Sequence, residues 1–100
     1  MNTSNDLHII YGAFSQESGR IFFKLYNEFR VETDELDRNG DENVFQLIRA
    51  KYSFVLKQKL ERGAFILIDQ CTTAELQGRL RIGLTERIQY LLKEFIRKSG

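Results

Sequence analysis

The sequence predicts an all-α fold, a bundle of three or four helices with a long antiparallel helical hairpin (about 41–71 and 73–98) as its spine. Three observations predict it. The chain has no proline among its 100 residues, so nothing in it covalently blocks a long helix. It is rich in Leu, Glu, Lys, Arg and Gln, all good helix formers, and 29% of it is charged. Apolar residues recur at spacings of three and four, the period of a helix with one buried face. The length fits one domain, 1–100, and 42% hydrophobic residues, eight Phe among them, can bury a core without staples.

The elements follow in chain order. Asn5-Asp6 reads as a helix cap, and Leu7, Ile10, Tyr11 and Phe14 then share one helical face. Ser15-Gln16-Glu17-Ser18 reads as a turn or a new cap. Phe22, Leu25, Tyr26 and Phe29 resume the stripe, which Thr33 and Leu36 extend. Asn39-Gly40 is a stop signal, since both residues tolerate left-handed backbone, and Asp41 caps the next helix with Glu42 in its first turn.

From Asp41 the periodicity is strongest. Val44, Phe45, Ile48, Tyr52, Val55, Leu56 and Leu60 fall on one side of a helical wheel. Leu47 and Phe54 add a second apolar edge, so this helix is expected to meet neighbours on two sides. Glu61-Arg62-Gly63 leaves two readings open: the helix ends at Gly63, or it runs on to Cys71. AFILI (Ala64 to Ile68) is apolar all round and fits a buried helix or a short strand. The α+β alternative pairs strands 7–11 and 64–68, but an isolated two-stranded sheet is marginal, which favours helix. A helix over 41–71 would be about 46 Å long at ~1.5 Å per residue. Such a rod exposes apolar surface unless another covers it. The last helix is one cover and a second protomer a further one, so a homodimer is expected.

In the last segment, Thr72 and Glu75 have capping-box spacing. Read as one helix, Leu76, Leu80, Leu84, Ile88, Leu91, Leu92, Phe95 and Ile96 share a broad face, and only Ile82 points elsewhere. Leu76, Leu80, Leu84 and Ile88 are each four apart, so their stripe drifts about 40° per step, and a kink near Ile82-Gly83 would reset it. Thr73-Ala74-Glu75-Leu76, Leu80, Ile82-Gly83 and Ile88 also resemble the helix-turn-helix pattern of winged-helix and related DNA-binding domains. The segment departs from that pattern at Gln77, where a small residue is usual, and at Arg81, where a turn glycine is usual. The resemblance implies a nucleic-acid contact through 72–98. Arg79, Arg81, Arg87 and Lys93 are the bases that would meet phosphates or guanine.

Net charge is +1, unevenly placed: residues 1–48 hold nine acids and four bases, residues 49–100 eleven bases and five acids. The asymmetry marks a basic surface, or halves that attract each other. Metal and catalytic chemistry find little footing. Glu35, Asp37, Asn39 and Gly40 match positions 1, 3, 5 and 6 of a calcium loop, but position 12 is Gln46, which lacks the bidentate carboxylate. His8 is the only histidine and has no ligand partner at metal spacing; Cys71 is the only cysteine, which fits a reducing compartment. No nucleophile-elbow, phosphate-loop or dinucleotide motif occurs. No cofactor or metal is expected, no membrane span, and no signal peptide precedes the helices, so the expected location is the cytoplasm. The expectation is a small non-enzymatic regulator or adaptor that binds a protein partner through a helix face, with Leu47 and Phe54 as candidate contacts. The alternative is a nucleic-acid binder.

Overall fold

A computed structural model describes residues 3–36 and 42–100. The fold is all-α: α1 (Thr3–Asp34), α2 (Glu42–Asp69) and α3 (Ala74–Ser99) form an up-down-up bundle of 58 × 18 × 18 Å. The hairpin of α2 and α3 is the expected spine: α2 ends at Asp69 rather than near 71, and α3 lies one residue later than expected. The third rod is α1, which packs along the whole hairpin. It covers the inner faces of both hairpin helices within the chain. The Asn39-Gly40 stop and the Asp41 cap lie outside the described residues.

The N-terminal region is one helix of 32 residues, where two were expected. Asn5 and Asp6 lie inside it, after its start at Thr3. Ser15 to Ser18 make no turn. Ser18 is buried on the core side, and its hydroxyl donates to the Ser15 carbonyl at 3.0 Å. The hydroxyl is thus satisfied by the helix's own backbone, and the polar residue that suggested a break is accommodated without one. Thr33 is treated the same way: it is buried and donates to the Phe29 carbonyl at 2.9 Å.

In α2 the helix runs through Gly63 to Asp69. Leu56, Leu60 and Ala64 are buried on one line, and a break at Gly63 would unhook Ala64 and the half-buried Leu67 from it. The strand alternative is corrected here, since 7–11 and 64–68 are both helical. The two segments nevertheless lie side by side as helices, with Ile9, Ile10 and Leu67 lining one groove. AFILI is not buried all round: Ala64 faces the core, while Phe65 and Ile66 face outward.

The cap of the last helix falls one residue later than expected. Thr73, extended at φ −122°, accepts from the Leu76 amide at 3.2 Å, so the Thr72 capping box does not form. Helix α3 then runs unbroken for 26 residues. The helix-turn-helix expectation is therefore corrected: Arg81-Ile82-Gly83 is helical, and Ile82 stays 65% exposed. No kink is needed because the drift is undone elsewhere. Buried positions run 80, 84, 88, 91, 95, 99, and the three-residue step from Ile88 to Leu91 turns the stripe back. Helix α1 has the same phasing at 14, 18, 22, 25, 29 and 33. Steps of four, four and three repeat every eleven residues, about 3.67 per turn, which suits nearly straight rods with slight right-handed coiling. Ile96, placed on the core face by the simple wheel, lies at its exposed margin.

The aromatic part of the core gathers towards the C-terminal end of α3. The Phe95 ring lies 6.1 Å from Phe22, 6.1 Å from Tyr26 and 5.4 Å from Phe29, and Phe29 reaches Phe45 and Tyr52 of α2 at 5.8 and 5.9 Å. These edge-on contacts tie all three helices together.

Candidate protein-docking face

With both neighbours of α2 served by its main apolar stripe, its opposite side is left without cover. Leu47 is 70% exposed, Phe54 60% and Phe65 69%. Leu47 and Phe54 therefore do not form a second buried edge; they point to solvent. The seven-residue step from Leu47 to Phe54 returns to within about 20° on the wheel, and the eighteen-residue step from Leu47 to Phe65 makes about five full turns. The three side chains make one line about 27 Å long at ~1.5 Å per residue. Other helices also expose large apolar residues, but less coherently. Ile9, Phe23 and Val31 of α1 are exposed too, spread over about 80°.

The line is edged by positive charge. Between positions 51 and 62, α2 carries Lys51, Lys57, Lys59 and Arg62 against one acid, Glu61. Lys51 and Lys59 open onto a groove of about 450 Å³ between α1 and α2, shared with Arg20, Lys24, Glu17 and Glu28. Lys57 and Phe65 line the opposite groove, between α2 and α3, with Arg81. Lys51 is engaged, its Nζ 3.1 Å from Glu32 of α1. Lys24, Lys57, Lys59, Arg62 and Arg81 make no ion pair among the described residues. Arg20 pairs with Glu17, Arg79 with Glu75 and Arg97 with Glu94, each within its own helix. Lys51–Glu32 thus bridges the acidic and basic halves of the chain.

The same corner holds a perturbed phenol. A hydrogen bond to Glu32 and partial desolvation raise Tyr52 to about 12, while hydrogen bonds from Tyr52 and Lys51 lower Glu32. Glu32 of α1 thus engages both Tyr52 and Lys51 of α2, which latches the two helices together beside the groove.

The bases expected to meet nucleic acid are not brought together. Arg79 lines a groove with His8 and Tyr11 on the α1 side of α3, and Arg81 lines the groove on the α2 side. Arg87 is half-buried against α1, where it donates to the Ser18 hydroxyl and the Ser15 carbonyl, both at 3.4 Å. Lys93 is exposed on the outer surface. No flat basic surface unites the four, and Arg87 is committed to bracing the bundle.

Phe65 is not legible as an outward residue from its local sequence, because AFILI is apolar all round. The eighteen-residue interval from Leu47 to Phe65 was the available signal. Among the described residues no helix is long and apolar enough to cross a membrane, and no group of three or more His, Cys, Asp or Glu could hold a metal ion. Cys71 is half-buried in the α2–α3 connection, with its thiol donating to the Leu67 carbonyl at 3.5 Å. Comparison with protein-family models, curated proteins and solved structures gave no match.

Proposed function

We propose that this chain is a small non-enzymatic adaptor or regulator of the cytoplasm that works by binding a protein partner along the outer face of α2. The observation that carries the reading is the line of Leu47, Phe54 and Phe65 on the outer side of a helix whose inner side, through Leu56, Leu60 and Ala64, is packed in the bundle. Large apolar side chains aligned at helical spacing on a rigid rod suit the docking of another helix. Scattered exposed apolar residues are ordinary on any protein surface; three in one line are the feature that supports recognition.

The test is affinity capture from native lysate by the wild-type chain and by a Leu47→Asp/Phe54→Asp variant, each with and without nuclease. The expected result is a set of proteins retained by wild type, insensitive to nuclease and lost with the variant. Identical recovery by the two chains, or recovery that disappears with nuclease, overturns the reading.

A further inference from the structure

We infer that the partner segment is an acidic amphipathic helix, which lays its apolar seam along Leu47, Phe54 and Phe65 and its carboxylates against the cations on either side. This rests on the protein-docking reading above and adds the chemistry of the partner.

Three features of the face select that occupant. The first is shape. Leu47, Phe54 and Phe65 fall within about 20° of one another along a nearly straight rod, and Ile66, the other exposed large apolar residue of α2, stands about 100° away from their line. A line of that width matches the single seam of a docked helix, whose knobs recur on the same spacing. An interfacial membrane helix instead presents a broad apolar face to lipid.

The second is charge. Lys57, Lys59 and Arg62 have no acidic partner among the described residues, and neither have Lys24 and Arg81 in the grooves that flank the line; together they outnumber Glu61, the acid that stands between Phe54 and Phe65. Cations on both sides of an apolar seam complement a helix with Glu or Asp on both sides of its own. The third is what the face does to a second copy. Two α2 faces laid together would set these same cations against each other, which disfavours self-pairing there. Nucleic acid would meet the cations but would leave Leu47, Phe54 and Phe65 without an apolar counterpart.

The experiment titrates the full chain with two synthetic helical peptides of about three heptads, both with Leu at every a and d position. One carries Glu at the flanking positions and the other Lys. Binding is measured by calorimetry, self-association by sedimentation, and lipid binding with vesicles of phosphatidylcholine and phosphatidylserine. The acidic peptide is expected to bind, with affinity falling as salt rises, and the lysine peptide is not. Lys57→Glu/Arg62→Glu should weaken the acidic peptide about tenfold or more. Leu47→Ser/Phe54→Ser should abolish its binding while the circular dichroism spectrum stays helical.

Equal binding of both peptides, or of neither, overturns the inference. So does a dimer, or vesicle binding, that Leu47→Ser/Phe54→Ser removes. If lysate capture depends on Leu47 and Phe54 but the acidic peptide does not bind, the partner chemistry fails and the docking face stands. If capture is also indifferent to them, both fail.

Discussion

The Arg87 guanidinium of α3 donates through Nε to the Ser18 hydroxyl of α1, 3.4 Å away, while its second nitrogen donates to the Ser15 carbonyl. One side chain thus satisfies polar groups at the point in α1 where serines suggest a break. Arg87→Ala should cost about 1 kcal/mol, the usual net worth of such hydrogen bonds. Arg81→Ala, at an exposed position without an ion pair, should change stability by less than about 0.5 kcal/mol. Urea denaturation of the two variants checks the contrast; equal effects would remove the bracing role.

Gly83 separates the straight helix from a helix-turn-helix. A Cβ added there would meet the Tyr11 ring at 3.5 Å, an ordinary contact, and its backbone is helical. Gly83→Ala should therefore stabilise the protein by about 0.5–1 kcal/mol through helix propensity alone. A tight turn at this glycine would give the opposite sign, and thermal melting distinguishes the two.

Phe95 and Phe54 are the same residue type with opposite surroundings. Phe95 is fully buried and touches Phe22, Tyr26 and Phe29, so Phe95→Ala should cost about 3–5 kcal/mol. That is a large share of the stability of a small domain. Phe54→Ala should stay within about 0.5 kcal/mol of wild type, leaving its effect on binding uncontaminated by unfolding. Chemical denaturation measures both.

The Tyr52–Glu32 latch gives two pH signatures. Tyr52 is raised from 10.0 to about 12, so its contribution is intact below 10.0 and is lost as pH rises through about 12. Glu32 is lowered from 4.5, so its contribution is intact above 4.5 and is lost as pH falls through the lowered folded value. Phenolate absorbance of wild type minus Tyr52→Phe should titrate near 12, and Glu32→Ala should bring that midpoint back towards 10.0. An unchanged midpoint in Glu32→Ala would show that the hydrogen bond is not its cause.

Helical period is a local property, and by itself the sequence determined what that period encodes. The absence of proline and the three-and-four spacing called for long helices, and the stripe of Tyr52, Leu56 and Leu60 identified the inner face of α2. What the tertiary structure alone decided was which breaks are real and which apolar faces are covered. Ser15–Ser18, Gly63 and Gly83 all look like punctuation in isolation. Packing overrides each, because a break would detach buried neighbours on the far side. Likewise the wheel puts Phe54 on a second apolar edge and Phe95 on a main face, but it does not say whether a neighbour covers that second edge. Phe95 faces α1 and Phe54 faces water only because three rods enclose one axis and leave the outer side of each without a neighbour. The docking line of Leu47, Phe54 and Phe65, and the separation of Arg81 from Arg87, are consequences of that enclosure.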